Sequence, residues 1–480
     1  MSQDLKENNV SENVSAASLA GNIRLSWPTR FSYAGGDVAC NIVFGMIGTL
    51  LTLFYTDYMG VNPATIGFIF LISRCFDGVS DLVMGFVVER TKSRFGKARP
   101  WLLWMSIPFA LSAVLLFTVP KTTEFLTAIY IFVAYNFCNT ICYTAVNLPY
   151  GSLSALMTRN QHEREALSVV RMGLSPIGKI ISVSFTLPLV SLLGNNQVAW
   201  VLTISIWSVI AVLLLLGCFF KCKETVVIPV NSEKKDSKLP IGKGIKCLVK
   251  NQYFWAVLLL WMFQSVSFSI SGTILPYYTK YIITAEVMDP DILYSALFLA
   301  ETLTLVICIF ISAPLIKRFG KRNTALFGAV IALAGQLIFM IDTHSIALVA
   351  TSCVLRGIGL APLNAVVFAM VGDAVEFGQW KTHTRLEGLI FAGGSIGTKV
   401  GAGAASAIMT SLLSAAGYVA STTGFAQQSA STLQMITNIY IFGPLIIAVG
   451  VLLVLLFYKL DKKYDGIMEE LAQREARGEL

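Results

Sequence analysis

Apolar stretches long enough to cross a membrane recur along the whole of this 480-residue chain. A transmembrane helix needs about 20 mainly apolar residues to span the roughly 30 Å of hydrocarbon in a bilayer. Hydrophobic residues make up 55% of the sequence and charged residues only 13%, against about 25% charged residues in typical soluble domains. The sequence therefore predicts an all-α polytopic membrane protein, with the lipid bilayer as its surroundings.

Counting on that length gives twelve predicted spans. They are residues 31–55, 63–88, 101–119, 125–148, 167–193, 199–220, 254–282, 294–316, 323–341, 345–371, 386–415 and 435–458. Proline lacks an N–H and clashes with the preceding turn of a helix. Pro276 is therefore expected to kink or end the seventh span, and Pro149 to interrupt the helix at the end of the fourth.

The loop charges predict an orientation. Loops after odd-numbered spans hold only Lys121 and Lys280, whereas loops after even-numbered spans are basic. Because basic loops stay in the cytosol, both termini are predicted to be cytoplasmic, in the inner membrane of a bacterium. The net charge of +8 lies in these loops, so no nucleic-acid partner is expected.

A lysine-rich loop and an internal repeat divide the chain into two similar halves. RFGK occurs at 94–97, after the second predicted span, and again at 318–321, after the eighth. Two six-helix halves of this kind describe a major facilitator fold, with substrate near the membrane midplane. The predicted segments are a cytosolic tail (1–30), a first bundle (31–220), a cytosolic central loop (221–250), a second bundle (251–458) and a cytosolic tail (459–480).

Three charged residues share one face of the second span. Arg74, Asp77 and Asp81 are spaced three and four residues apart, which places them together on a helix. A charge at the bilayer centre costs about 2.5–3.5 kcal/mol on insertion scales. Arg74 is the expected charge partner of one aspartate, and the other needs a proton or a metal cation. We interpret this face as a cation site, with a purely structural ion pair as the alternative.

Other polar residues in the first and fourth spans are candidates for substrate binding. Asp37 is the only charge in the first span, although near the membrane boundary it could reach headgroup water. Tyr143, Thr144, Asn147 and Tyr150 combine hydroxyls, an amide and aromatic rings, which suits a polyol ligand. Such groups also bridge membrane helices, so each alone is weak evidence.

Two cationic residues complete the candidate substrate site. Arg171 in the fifth span can neutralise an aspartate of the first half or hydrogen-bond a substrate, and snorkelling to the interface is the alternative. Lys399 lies deep in the eleventh span and needs an anion or must lose its proton. It is the strongest substrate-binding candidate of the second half.

The remaining charges are predicted to form a cytosolic gate. Arg356 and Glu376 are expected near cytosolic helix ends, whereas Glu301 is isolated in the eighth span and has no assigned role. The predicted gate residues are Arg94, Lys97, Arg318, Lys321, Asp373 and Arg385. No catalytic pair, metal site or cofactor is predicted, which makes a membrane-embedded enzyme the weaker alternative.

Seven stretches together resemble a known family. They are SYAGGD (32–37), FYTD (54–57), SRCFDGVSD (73–81), SRFGKARPW (93–101), NLPYGSL (147–153), GDAVEFGQWKTHTRLEG (372–388) and Lys399. Over nearly its whole length the chain resembles the glycoside–pentoside–hexuronide:cation symporters, the melibiose permease group of the major facilitator superfamily. In detail it is most similar to the bacterial glucuronide permeases.

The resemblance implies roles for individual residues. Asp77 and Asp81 match the cation site of the family, with contributions from the positions of Thr144 and Ser80. Asp37, Arg171 and Lys399 match positions that line the sugar site.

This chain departs from melibiose permease at three of these positions. Asn147 replaces an aspartate that contacts sugar and cation, Ser80 replaces an asparagine beside the cation, and Gly151 replaces a sugar-stacking tryptophan. Losing one carboxylate favours a proton over sodium, because two acids that share one proton suffice for a charge switch. The glycine indicates a different or larger sugar than melibiose.

The prediction is therefore a monomeric symporter that couples a cation to a sugar or glycoside such as a glucuronide, xyloside or galactoside. In this hypothesis the cation neutralises Asp77 and Asp81, and the substrate bridges Asp37 and Arg171 to Lys399 during alternating access. A sodium-coupled sugar symporter and a lysolipid carrier of the same family are the alternatives.

Overall fold

The computed structural model describes residues 24–158, 161–225, 247–283, 288–382, 387–421 and 426–476, and the regular structure in these ranges is entirely helical. The helices are α1 (Trp27–Thr49), α2 (Leu51–Asp57), α3 (Pro63–Arg90), α4 (Arg99–Phe117), α5 (Glu124–Tyr135), the π-helix π1 (Asn136–Tyr143), α6 (Thr144–Met157), α7 (Gln161–Leu192), α8 (Gln197–Lys221), α9 (Gln252–Tyr281), α10 (Pro290–Phe319), α11 (Lys321–Phe339), α12 (Ile346–Thr382), α13 (Glu387–Ala415), α14 (Ala430–Phe457), a 3₁₀ turn (Leu460–Lys462) and α15 (Tyr464–Ala476).

Each predicted span coincides with one helix or with a run of consecutive helices, which confirms the all-α class. Nine helical spans of the described residues are long and apolar enough to cross a membrane, or ten if α1 and α2, which meet at 43°, form one span. The long helices α3 and α13 are not among them. The count of twelve crossings therefore stays a prediction.

Proline does not end the helices where the sequence indicated. α6 continues through Pro149, and α9 continues through Pro276 to Tyr281. Membrane helices tolerate proline because π turns and polar side chains can bind the backbone groups that it frees. The π-helical π1 lies directly before α6 and is an irregular turn of this kind. Because α6 contains Pro149, the expected interruption there is wrong.

The helices group into two structural units. The first unit comprises Met1–Ile47 and Cys75–Lys234, and the second comprises Gly48–Arg74 and Lys235–Leu480. α2 and the beginning of α3 thus belong with the second unit. The bundle boundaries at 221–250 stay a prediction.

In the first unit, small residues let α1 and α7 approach closely. A Cβ on Gly178 would lie 2.4 Å from the carbonyl oxygen of Val38, and a Cβ on Gly45 would lie 2.8 Å from Cγ of Lys179. Small residues commonly allow such close helix packing in membranes. Ser182 also donates a hydrogen bond of 3.1 Å to the carbonyl of Ile42.

In the second unit, glycines of α12 allow close packing against two other helices. A Cβ on Gly357 would lie 2.5 Å from the carbonyl oxygen of Glu301 in α10. A Cβ on Gly359 would lie 2.5 Å from the amide nitrogen of Ala332 in α11. The backbones of three helices therefore meet near one level of α12.

The predicted C-terminal tail contains a packed helix. Ile467 and Leu471 of α15 are buried in the hydrophobic core of the second unit. Trp380 Nε1 donates a hydrogen bond of 2.8 Å to Glu470, and Arg474 also pairs with that carboxylate. The bond from Trp380, followed by that from Arg474, lowers the pKa of Glu470. Residues 464–476 therefore belong to the folded second unit.

Gly359→Ala should destabilise the protein, with Gly372→Ala as the matched control on α12. Alanine at 359 must push backbone aside, whereas a Cβ at 372 meets no atom within 4 Å. Overpacking typically costs about 1–3 kcal/mol, while alanine in an open helical position gains up to about 1 kcal/mol over glycine. Thermal unfolding of the purified variants should show a lower midpoint for Gly359→Ala only. Equal midpoints would contradict the close packing of α11 and α12.

Candidate cation and substrate sites

Asp77 on α3 is buried in the first unit and surrounded by hydrogen-bond donors from π1. Its side chain is 3% exposed. The Asn139 amide nitrogen lies 3.1 Å from both carboxylate oxygens, and the Thr140 hydroxyl donates a hydrogen bond of 2.6 Å to Oδ1. π1 therefore supplies hydrogen-bond donors to both carboxylate oxygens of Asp77 at the predicted cation site.

The other predicted cation-site residues lie beside the same helix pair. Thr144, which the resemblance placed beside the cation site, donates a hydrogen bond of 3.2 Å to Oδ1 of Asp81. The Ser80 hydroxyl donates instead to the main-chain oxygen of Thr140, at 2.5 Å. The structure thus brings together Asp77, Asp81 and Thr144, and Ser80 holds the π1 backbone against α3.

Asp37 and Arg171 form an ion pair between α1 and α7. Nη2 of Arg171 lies 3.2 Å from Oδ1, and Nε lies 3.2 Å from Oδ2. The Asp37 side chain is 9% exposed and that of Arg171 is 27% exposed. The arginine is thus the more accessible partner. Pairing with an aspartate of the first half was one of the roles that the sequence predicted for Arg171.

Aromatic rings surround this pair. The guanidinium of Arg171 lies 5.1 Å from the centroid of the Tyr150 ring, and the Tyr150 hydroxyl donates to the Tyr33 carbonyl. A Cβ on Gly36 would lie 2.6 Å from the Tyr150 ring, so the glycine before Asp37 makes room for it. The neighbourhood of Asp37 therefore combines both charges with an aromatic face.

Four further predicted residues are partly accessible or lie elsewhere. Tyr143 and Asn147 are half-buried, and Tyr143 stacks on Phe44 of α1 at 5.1 Å. Lys399 is half-buried on α13 of the second unit. The aliphatic stem of Arg74 lies close to Gly403, where a Cβ would be 2.7 Å from Cγ of the arginine. The roles of Lys399 in substrate binding and of Arg74 as charge partner stay predictions.

Arg356 does not belong to a cytosolic gate. It lies in the N-terminal third of α12, far from Thr382 at the predicted cytosolic end. It is 2% exposed and forms a two-point ion pair with Glu301 of α10. Most of α12 follows Arg356, so its predicted place near the end of that helix is wrong. Glu301, isolated in sequence, has its partner here.

Two of the predicted gate residues meet in the second unit. Lys321, at the start of α11, pairs with Asp373 on α12. Arg94 and Arg318 each lie over the ring of the following phenylalanine, at 4.7 and 5.4 Å. Arg385 lies outside the described residues. The gating role of the set stays a prediction.

Each repeated RFGK loop lies beside a helix start that an acidic residue caps. The Glu224 carboxylate, just after α8, accepts hydrogen bonds from the backbone N–H groups of residues 97–99. Asp461, after α14, accepts one from the N–H of Arg322. In return, Arg99 donates to the Phe219 carbonyl of α8, and Arg322 donates to the Leu455 carbonyl of α14. The repeat in sequence is thus also a repeat in structure.

The start of α7 is tied to the beginning of α1 and to the residue Leu25 before it. Glu163 accepts hydrogen bonds from the Arg30 side chain at 2.8 Å and from the N–H of Leu25 at 3.1 Å. Burial raises the pKa of Glu163, but these bonds and the positive charge of Arg30 outweigh it, so the pKa lies below its usual range. The carboxylate therefore stays charged in this contact.

A buried cluster around Asp57 was missed by the sequence-based search. Asp57 ends α2 and is 0% exposed. It pairs with Lys280 of α9 at 2.5 Å and accepts hydrogen bonds from the hydroxyls of Tyr281, Tyr418 and Thr56. The signals in sequence were the acidic residue of FYTD and Lys280, a basic residue near the end of the seventh predicted span.

Asn139, Thr140 and Glu224 were also missed. Their signals in sequence were two polar residues in an apolar span and one acidic residue in a lysine-rich loop. Such signals carry little weight until the folded structure shows which groups they contact.

Long apolar helices joined by buried charge pairs define the class as a polytopic membrane protein. The fold is similar to the crystal structure of a bacterial homologue of the human lysosomal transporter Spinster, in an inward-facing and unoccupied conformation. The TM-score is 0.65 at 11% identity, over 92% of this chain and 97% of that chain. This likeness shows the fold alone.

The chain belongs to the family described as MFS/sugar transport protein, whose profile matches residues 32–462. It is 31% identical over 458 residues to the isoprimeverose transporter of Lactiplantibacillus pentosus, covering 94% of this chain and 92% of that protein. It is also 31% identical over 468 residues to the putative glycoside/cation symporter YagG of Escherichia coli, with 95% and 97% covered. These likenesses confirm the resemblance to the glycoside–pentoside–hexuronide:cation symporters. The protein is a multi-pass membrane transporter and not an enzyme.

Asp57→Asn should destabilise the protein strongly, and adding Lys280→Met should recover part of the loss. Breaking a buried ion pair costs roughly 3–5 kcal/mol because one charge is left without its counter-charge. The double variant removes both charges, so its thermal midpoint should lie above that of Asp57→Asn. A double variant whose loss equals the sum of the two single losses would show that the pair is not coupled.

Proposed function

We propose that the protein moves a sugar or glycoside across the membrane together with a cation, by alternating access. The observation that carries the proposal is the pair of carboxylates on α3. Asp77 is buried against the donors of π1, and Asp81 bonds Thr144. Buried acids in membrane helices commonly mark ion pathways. The names of the two relatives, a sugar transporter and a glycoside/cation symporter, support the same function.

The cation neutralises the carboxylates of Asp77 and Asp81. Two acids four residues apart on one helix face repel each other in a medium of low dielectric constant. A bound cation removes that repulsion and so couples its own binding to the arrangement of α3 and π1. A proton is favoured over sodium because Asn147 and Ser80 replace the additional carboxylate and amide of melibiose permease.

The substrate binds at the ion pair of Asp37 and Arg171. A sugar hydroxyl can donate to the carboxylate and accept from the guanidinium, so one sugar can satisfy both groups. The aromatic ring of Tyr150 beside Arg171 offers a face for the C–H groups of the sugar. Asn147 and Tyr143 add an amide and a hydroxyl on neighbouring turns, and Lys399 keeps its predicted role in substrate binding.

The loop charges favour a cytosolic position for both termini. We propose the bacterial inner membrane as the location of the protein, as the names of the bacterial relatives support, and a monomer as the working unit. The pairing of Lys321 with Asp373 supports a charged closure at the cytosolic end of the second unit. The loops of Arg94 and Arg318, each fixed by a capping acid of its own unit, present their basic residues on that side.

Asp77→Asn should abolish cation-driven accumulation, with Glu124→Gln as the control. Asparagine keeps the shape of the side chain but removes the charge that the cation neutralises, whereas Glu124 is exposed at the start of α5. The measurement is uptake into proteoliposomes of a panel of xylosides, galactosides and glucuronides, driven by a proton, sodium or lithium gradient. We expect at least about tenfold accumulation for the unmodified protein and Glu124→Gln, and none for Asp77→Asn.

Two outcomes would contradict this proposal. Asp77→Asn that accumulates glycoside as well as the unmodified protein would remove the cation site from α3. Uptake of lysolipids without uptake of any glycoside would show a lipid carrier instead.

Gly36→Ala should weaken substrate binding, with Gly35→Ala as the control. A Cβ at 36 would lie 2.6 Å from the Tyr150 ring and displace it from Arg171, whereas a Cβ at 35 makes only ordinary contact, at 3.5 Å, with Leu214. The glycoside found in the uptake panel should bind at least about tenfold more weakly to Gly36→Ala, a loss near 1.4 kcal/mol. Titration of substrate-induced thermal stabilisation measures the change. Equal affinities of both variants would place the substrate away from Tyr150.

A further inference from the structure

The π-helical segment π1 brings two adjacent side chains to one carboxylate. In an α-helix, with 3.6 residues per turn, neighbouring side chains point about 100° apart. Asn139 and Thr140 nevertheless both donate hydrogen bonds to Asp77. Ser80 binds the carbonyl of Thr140 and so holds π1 in this position. π-bulges occur frequently at functional sites, and this one lies at the proposed cation site.

Only half of the Asn139 amide is satisfied in this arrangement. Its nitrogen lies 3.1 Å from both oxygens of Asp77. Its oxygen Oδ1 is buried and has no hydrogen-bond partner among the described residues, and the residue is 4% exposed. A buried amide oxygen without a partner is unfavourable. The orientation therefore has a cost that the contact with Asp77 must offset.

Rotating the amide about its last side-chain bond exchanges nitrogen and oxygen in nearly the same volume, and this torsion has two broad minima. After the rotation, Oδ1 would face both carboxylate oxygens of Asp77 at the distance that the nitrogen has now. That contact is repulsive for a bare carboxylate. It becomes favourable when a positive charge lies beside the carboxylate, because amide oxygens are good ligands of hard cations.

We propose that Asn139 is a cation-switched ligand of the transport site, an inference that rests on the proposed symport function. Its amide hydrogens hold Asp77 when no cation is bound, and its carbonyl oxygen faces the monovalent cation when one is bound. Thr140 serves both states, because a hydroxyl has one donor and two lone pairs. Asp81 and Thr144, one turn further along, complete the set of oxygen ligands.

The switch supplies a neutral oxygen from π1. The Ser80 hydroxyl on α3 is engaged with the backbone carbonyl of Thr140, and Asn139 adds an amide oxygen beside it. The site therefore offers a metal cation such as Na⁺ or Li⁺ two carboxylates, two hydroxyls and one amide, and it offers a proton an acceptor beside Asp77.

The test compares Asn139→Leu, Asn139→Asp and the control Asn364→Leu. Leucine has a similar size but no oxygen, whereas aspartate has two oxygens and no amide hydrogens. Asn364 lies on α12 of the second unit, where its amide donates to the Leu360 carbonyl, so its loss removes an amide away from the site. Cation affinity is measured on each purified full-length protein from thermal stabilisation by NaCl, by LiCl and by protons, in choline chloride and without substrate.

We expect Asn139→Leu to bind the stabilising cation about tenfold or more weakly, the size of effect found for residues that tune metal sites. Asn139→Asp should bind metal cations more tightly than the unmodified protein, because it replaces a donor to Asp77 by a further anionic ligand. Asn364→Leu should stay within about twofold of the unmodified protein.

Two results would overturn the proposal. Equal cation affinities of Asn139→Leu and the unmodified protein would show that the amide oxygen is not a ligand. If no sodium, lithium or proton concentration changes either the stability or the sugar affinity of the unmodified protein, the symport function fails, and the switch fails with it. Should Asn139→Asp not fold, the cation affinities of Asn139→Leu and Asn139→Ser still decide whether the amide oxygen is a ligand.

Discussion

The burial of charge in a medium of low dielectric constant is the constraint on which this structure depends. An isolated ion is costly there, so charged groups must find partners from other helices. Asp37 with Arg171, Asp57 with Lys280, and Glu301 with Arg356 each join two different helices. Each pair also fixes how its helices are rotated about their axes, because the charged faces must meet. Much of the packing of apolar helices, which have no hydrophobic drive to associate in lipid, is therefore specified by a few polar contacts.

The sequence predicted the helices well and their partners poorly. Apolar stretches locate spans because the bilayer sets their length, and every predicted span has its helix. The ends differ where polar residues continue the helix beyond the predicted span, as in α12, which ends at Thr382. Glu301 and Arg356 are 55 residues apart. Their pairing depends on how α10 packs against α12, which the glycine at 357 permits but no local pattern reveals.

In the candidate sites, too, residues related by local helix geometry could be predicted, whereas contacts set by the fold could not. Asp77, Asp81 and Thr144 could be predicted because two helical positions four residues apart always share a face, and the resemblance to known symporters supplied the third residue. Asn139 could not, because its contact with Asp77 depends on the π-helical backbone of π1, which changes the direction of the side chains. Pro149 was misjudged for a related reason. A proline removes one backbone hydrogen bond, but nearby irregular turns and polar groups can compensate for it.

The capping acids after α8 and α14 have a consequence for how the chain is made. Glu224 closes onto residues that were synthesised 127 positions earlier, and Asp461 closes onto Arg322, 139 positions earlier. The starts of α4 and α11 therefore keep exposed backbone N–H groups while the ribosome is still extending each half. The protein can satisfy these groups only after Glu224 and Asp461 have been synthesised, so the starts of α4 and α11 gain their caps late.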